Sequence, residues 1–142
     1  MRVKYIHRTA TVDEGSDIGQ GTSIWHYCHV CPGAVIGEDC IIGQGVFIDS
    51  CAVIGNNCKI QNGVSVYSGV TLEDGVFVGP HVTFTNDKWP IAVNGDGSLK
   101  SKTDWKLSHT MVRRRASIGA NSTILCGIEI GLGGYVIRLV TE

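Results

Sequence analysis

The sequence predicts an all-β fold, a left-handed parallel β-helix of six-residue repeats with one long loop excursion. Three features predict it: an apolar residue at every sixth position, a smaller residue two places before each, and turn formers between them. Counting in sixes from Val12 gives Ile18, Ile24, Val30, Ile36, Ile42, Ile48, Ile54, Ile60, Val66, Leu72, Val78 and Phe84. At 43% hydrophobic content, chance would produce these thirteen positions in one of six frames with odds of roughly one in ten thousand. The period therefore belongs to the fold. The preceding series runs Ala10, Ser16, Thr22, Cys28, Ala34, Cys40, Val46, Ala52, Cys58, Val64, Val70, Val76 and Val82. Gly, Asn and Asp crowd the intervals, as in Gly37-Glu38-Asp39 and Gly55-Asn56-Asn57.

A period of six fits neither a 3.6-residue helix nor hairpins of variable loop length. It fits a short strand and a corner, repeated without slack, with three units to a triangular turn. The large aliphatic is expected at each corner, pointing inward, and the smaller residue on the face beside it. Successive turns would stack at ~4.8 Å, so that backbone N–H groups find carbonyls in the next coil. Corners need residues that tolerate left-handed backbone angles, which accounts for the Gly, Asn and Asp. The left-handed sense runs against the usual crossover preference and is assigned from the hexapeptide spacing itself.

The register breaks after Phe84 and resumes at Val112, Ile118, Ile124, Ile130 and Val136. One domain over residues 1–142 is expected, with coils at about 10–84 and 112–136 and a loop at about 85–111. That loop contains Asn94-Gly95-Asp96-Gly97, Trp89 and Trp105. A long excursion from an otherwise unbroken solenoid is where a functional site is expected. The open ends and apolar flanks of such a coil call for oligomerisation, and a homotrimer is the expected form.

Charge excludes some classes of partner. Twelve Lys and Arg against thirteen Asp and Glu leave no whole-protein field to draw in nucleic acid or a membrane surface. Residues 1–6 lack an apolar signal region and no run reaches membrane-span length, so a cytoplasmic location with reduced thiols is expected. Cys28 and Cys31 form a C-x-x-C pair, but Cys28, Cys40 and Cys58 fall on the inward small series and no second pair stands at zinc spacing. Neither metal nor redox use is expected.

The repeat resembles the hexapeptide acyltransferases that use acyl-coenzyme A. Four strings carry a closer resemblance: Ile24-Trp25-His26-Tyr27 with His29-Val30-Cys31, then Ile60-Gln61-Asn62-Gly63-Val64-Ser65-Val66-Tyr67, then Gly79-Pro80-His81-Val82-Thr83-Phe84-Thr85-Asn86-Asp87, and last Val112-Arg113-Arg114-Arg115-Ala116-Ser117-Ile118-Gly119-Ala120-Asn121. Together they are similar to the acetyltransferases that acetylate a 3-amino group on nucleotide-linked sugars for lipopolysaccharide and other surface polysaccharides. Three departures stand out: Ile91 where the family commonly has Arg, Arg115 where it has Gly, and residues 131–142 where it continues with small-residue coils.

The resemblance implies attack of a sugar amine on the thioester carbonyl of acetyl-CoA, with no metal. It makes Asn86 the hydrogen-bond partner of the reacting amine, against a plain role as a turn residue. His81 is the candidate proton acceptor because imidazole titrates in the right range. His26 and His29 are expected to be structural. Gln61, Asn62, Asp87, Lys88 and Trp89 are candidates for the sugar and nucleotide. Arg113 and Arg114 are candidates for nucleotide or coenzyme A phosphates, against a solvated edge. Gly119, Ala120 and Ser122 are candidates to line the pantetheine arm with backbone amides. Two other functions compete: an O-acetyltransferase acting on a sugar or serine hydroxyl, and a non-catalytic β-helix.

Overall fold

The computed structural model describes residues 2–137. Among these residues nineteen strands of two or three residues run in parallel and form three sheets, the faces of a triangular left-handed β-helix. The first face begins with β1 (Tyr5–Ile6), the second with β2 (Thr11–Val12) and the third with β3 (Asp17–Ile18). Each strand pairs with the one a full coil away, so Lys59 and Ile60 lie beside Ile41 and Ile42 on one side and Phe77 and Val78 on the other. Residue i thus stacks on residue i+18 up to the loop.

The alternation within each two-residue strand fixes which side chain goes inward. In the Val53–Ile54 strand Val53 is exposed and Ile54 is buried. The sixth-position series from Ile18 to Phe84 forms the core with the small series from Cys28 to Val82. One detail differs from the sequence expectation. The large aliphatic ends the face strand, and the corner follows it, because the residues with positive φ lie three positions on: Tyr27, Asp39, Asn57 and His81 follow Ile24, Ile36, Ile54 and Val78.

The corners carry their own ladder. Glu38 N–H donates to Asn56 Oδ1 at 2.8 Å, and Asn56 N–H donates to Asp74 Oδ1 at 2.7 Å. Each side chain caps an amide of the coil before it, which answers the Asn and Asp content of these positions. At Gly37 a Cβ would lie 2.6 Å from the Gly55 carbonyl carbon, so glycine is required there by close approach. The inward thiols are more than small hydrophobes. Cys28, Cys40 and Cys58 donate to the carbonyls of Gly43, Gly55 and Glu73 at 2.8, 3.0 and 3.2 Å, the role that Thr22 plays toward Gly37 at 2.7 Å. Burial pushes the Cys28 thiol pKa up.

The coil resumes at Thr110, in the strand Thr110–Val112, two residues earlier than the hexad count placed it. That strand pairs with Val70–Leu72, in the place a normal corner would have reached. The step from Phe84 to Val112 is 28 residues instead of six, so 22 residues are inserted at one corner with no change of register. Residues 138–142, part of the atypical carboxyl end, lie outside the described residues.

Three substitutions test this division between inward and outward positions. Ile48→Ala removes a fully buried side chain and is expected to cost about 2–5 kcal/mol in denaturant unfolding, whereas Val53→Thr on the outer face is expected to cost under ~0.5 kcal/mol. Thr110 is buried, and its hydroxyl has no hydrogen-bond partner among the described residues. Thr110→Val, matching the Val at position 70 on which it stacks, is expected to raise stability by about 1 kcal/mol.

Candidate functional site

The insertion is an ordered ribbon. Its neck is pinned at the edge between the second and third faces, where Thr85 Oγ1 donates to Ile124 O at 3.1 Å and accepts the Cys126 N–H at 2.9 Å. Ser108 N–H donates to Asn86 O at 2.8 Å, and Thr110 N–H donates to Gly69 O at 3.0 Å. Asp87 bridges Leu107 and Val93 bridges Leu99, both antiparallel. At the tip Asp96 Oδ1 accepts the Ser98 N–H and hydroxyl at 2.9 and 2.6 Å, and Asp104 Oδ2 accepts both from Ser101 at 2.8 and 2.9 Å. These bonds hold both carboxyls below the usual range.

The ribbon encloses a concavity of about 410 Å³ lined by Asp87, Lys88, Trp89, Lys100, Trp105, Lys106 and Ser108. The sequence expectation named the first three. The structure adds Lys100, Trp105 and Lys106, which no periodicity marks because they arrive on the returning strand of an irregular ribbon. Three ammonium groups beside two indoles can take a phosphate and a planar ring together. A second concavity of about 340 Å³ opens between the ribbon and the next coil, with Thr85, Lys88 and Trp89 facing Leu125, Cys126 and Ile128.

Asn86 sits at the neck, half-buried. Its Nδ2 donates to Ser68 O at 3.1 Å, one coil below. A carbonyl partner requires the amide nitrogen on that side, which leaves Oδ1 as the acceptor on offer.

The remaining expected site residues lie on other edges of the prism. His81, Gln61, Asn62, Gly119 and Ala120 share the edge between the first and second faces. There His81 N–H donates to Asn62 O at 2.9 Å and Asn121 N–H to Pro80 O at 2.9 Å. His81 has φ +59°, a conformation costly outside glycine. Its exposed imidazole lies over Gly63, with Nδ1 2.4 Å from where a Cβ on Gly63 would stand. Gln61 and Asn62 border a groove of about 300 Å³ with Trp25, His26 and Gln44. His26 stacks on His7 at 3.5 Å between centroids, and burial, then His26, lowers the His7 pKa. The Gly119 amide donates to Val136 O at 2.7 Å, and Ser122, buried, donates through its hydroxyl to Gly119 O at 2.7 Å. Both groups are thus engaged within the coil.

Arg113 and Arg114 stand on the third edge. Arg113 is clasped by Glu129 through Nε at 2.7 Å and by Glu73 through Nη1 at 2.7 Å. Glu73 also accepts the Arg114 N–H at 3.0 Å. The Arg114 side chain extends well into solvent, 70% exposed and 3.9 Å from Glu73. The Arg113 guanidinium holds the carboxyls of Glu73 and Glu129 below their ordinary range, and they raise its own pKa. Within the basic run Arg113 is therefore a clasp between coils, while the side chains of Arg114 and Arg115 face solvent.

Adjacent edges are separated by one six-residue rung of largely extended chain, on the order of 15 Å. Within one chain the structure brings together Asn86, Asp87, Lys88 and Trp89, and separately His81, Gln61 and Asn62. It does not bring the two groups into contact.

Comparison with known proteins bears on the whole coil. The family described as bacterial transferase hexapeptide (six repeats) matches residues 15–50 and 51–86, and that described as hexapeptide repeat of succinyl-transferase matches residues 33–68 and 114–133. An acyl-[acyl-carrier-protein]–UDP-N-acetylglucosamine O-acyltransferase of Brucella ovis is 46% identical over 48 residues, which are 34% of this chain and 17% of that protein. A mutant GDP-perosamine N-acetyltransferase from Caulobacter crescentus, solved with CoA and GDP-perosamine, shares the fold with TM-score 0.57 and 20% identity over 95% of this chain and 51% of its own. The acetyltransferase domain of PglB from Neisseria gonorrhoeae, solved with acetyl coenzyme A, has TM-score 0.47 and 18% identity, covering 89% of this chain and 53% of its own. The chain thus spans about half the length of those solved proteins and less of the Brucella one. Among the described residues no helix is long and apolar enough to cross a membrane.

The clasp at Arg113 has a pH signature. A carboxyl lowered in the folded state contributes stability above its unfolded value and loses it as pH falls through the folded one. Glu73→Gln is therefore expected to melt below the parent at neutral pH. The difference should narrow as pH drops below the ordinary carboxylate value of ~4.3. A constant difference across that range in thermal melts would reject the assignment.

Proposed function

This chain belongs to the bacterial transferase hexapeptide family, and we propose that it transfers the acetyl group of acetyl-CoA to the amine of a nucleotide-linked 3-amino-deoxysugar. The observation that carries this reading is the ribbon concavity, where Lys88, Lys100 and Lys106 meet Trp89 and Trp105. A nucleoside diphosphate offers both the charge and the ring that such a lining takes. The name of the Caulobacter protein, an amino-sugar N-acetyltransferase solved with CoA and GDP-perosamine, agrees with it.

The chemistry asks mainly for position. An amino-sugar amine is less basic than lysine, so a useful fraction is neutral near pH 7. Attack of its lone pair on the thioester carbonyl forms the C–N bond, expels the CoA thiolate and leaves a proton to be removed from nitrogen. Asn86 Oδ1, fixed by the bond from Nδ2 to Ser68 O, accepts an N–H of the amine and aims its lone pair. His81 takes the proton. His81 and Asn86 stand on different edges of one chain, so a site using both is assembled between two copies. In a homotrimer the edge between the first and second faces of one coil would face the ribbon of the next. The coenzyme A arm would then run along that seam past Gly119 and the exposed Ala120.

An O-acyl acceptor is the second reading, favoured by the name of the Brucella relative over its 48 matched residues. A hydroxyl needs full general-base help, so His81→Ala would then abolish turnover. With an amine acceptor it would leave measurable activity.

Thiol release from acetyl-CoA, tested with nucleotide-linked 3-amino, 4-amino and hydroxy sugars, decides between these readings. The 3-amino sugar is expected to turn over fastest. No turnover with any acceptor, together with no thermal shift from CoA, would make the coil a non-catalytic scaffold. Asn86→Ala is expected to lose at least tenfold in kcat, about 1.4 kcal/mol of transition-state stabilisation, and parental turnover would remove it from the site. Light scattering is expected to report a trimer at micromolar protein, and a monomer would dismantle the shared site.

A further inference from the structure

On the edge between the second and third faces, near the amino-terminal end of the coil, three donors of different chemistry converge. Asp13 opens one corner and Cys31 opens the corner stacked upon it, 18 residues on. His29 is the outward residue of the strand that leads into Cys31. His29 Nε2 lies 2.8 Å from Asp13 Oδ2, and Cys31 Sγ lies 3.9 Å from the same nitrogen. One ligand atom from each of the three lies within 4.8 Å of the others.

That all three meet at one nitrogen selects among the possible chemistries. A cysteine nucleophile with a histidine base and an orienting carboxylate needs the thiol on one ring nitrogen and the carboxylate on the other. Here both address Nε2, so a relay through the ring is not built. Convergence on a single point is what a chelate requires. We infer that Asp13, His29 and Cys31 bind a divalent cation of borderline softness, Zn²⁺ foremost, at a site independent of the ribbon.

The donor set suits that ion. Carboxylate oxygen, imidazole nitrogen and thiolate sulfur are its ordinary ligands, and three from the protein leave one position to solvent. With normal bond lengths a tetrahedral ion places N···O and N···S at ~3.4 and ~3.6 Å. Side-chain rotations of roughly an ångström, the largest of them closing Asp13 on Cys31, reach that arrangement from the observed one. The backbone beneath is rigid, since Asp13 N–H donates to Val30 O and Cys31 N–H to Ile48 O, each at 2.9 Å. The His29 ring is braced edge-on against Phe47 at 5.8 Å. One coil further on, Asp49 is held by the Ser50 and Ser68 N–H groups at 2.8 and 3.1 Å, adding a fixed negative charge to the column. A cation here would tie two adjacent coils together near the amino-terminal end of the coil, where Val12 and Ala10 are only partly buried.

Reduced, chelator-stripped protein titrated with Co²⁺ as a spectroscopic probe is expected to develop a thiolate-to-cobalt charge-transfer band saturating at one ion per chain. Zn²⁺ should displace the Co²⁺ and raise the melting temperature. Cys31→Ser should abolish the band, and Asp13→Asn or His29→Gln should weaken Zn²⁺ binding at least tenfold, in line with the sensitivity of such sites. Cys51→Ser, which removes an exposed thiol elsewhere on the same edge, should change neither. Melting of each variant in chelator shows that it is folded. A band that survives in Cys31→Ser, equal loss in Cys51→Ser, or no stoichiometric binding would overturn the site.

Discussion

The backbone ladder that sets each coil on the next is the constraint from which everything else follows. Because strand hydrogen bonds run only between coils, each residue is tied to its neighbours 18 places away, and every column must suit one environment along its whole length. Inward columns are Ile, Val, Leu and Phe, or small residues. Corner columns must cap the amide beneath them, as Asn56 and Asp74 do. A side chain chosen for chemistry has only the outward positions and the corners to occupy, and it must accept the backbone angles found there.

His81 shows what that costs. It holds a positive φ on a corner column whose members one and two coils before are Gly63 and Gly45, so its imidazole is presented at the price of backbone strain and of a neighbour without a Cβ. Asn86 meets the same constraint differently. It lies just past the last strand before the ribbon, uses its Nδ2 to fasten the ribbon to Ser68, and leaves its Oδ1 as an acceptor. Arg113 shows the opposite outcome: a charge that looked available is consumed by Glu73 and Glu129 in joining coils.

The coil was legible in the sequence because its period is rigid, so apolar residues at every sixth place allow no other winding of a short strand. Phase within the repeat was less legible. Ile54 and its equivalents mark the inward column equally well whether they end a strand or make a corner, and only the positive angles at Asn57 and its counterparts decide. The division of the expected site among three edges was open to arithmetic, since residues 61–63 and 79–81 differ by one coil whereas 86–89 follow a different face. Lys100, Trp105 and Lys106 were not open to it. Their approach to Lys88 and Trp89 depends on pairings such as Asp87 with Leu107 that no period encodes. Cys31 was hidden by its C-x-x-C pairing with Cys28, which draws the eye to the wrong partner: Cys28 points inward, while Cys31 faces His29 and Asp13.

The ribbon leaves the coil at a corner and returns to the column it would have reached without the detour, with Thr110 bonded to Gly69 and its strand paired with Val70–Leu72. The strands beyond it keep the same columns, with Thr83 beside Thr123 and Met111 beside Glu129. An element attached in this way is a cassette: its length and sequence can drift, or be exchanged for another, while the stack that carries it stays the same. A lineage built on this plan can change what the ribbon presents without renegotiating how it folds.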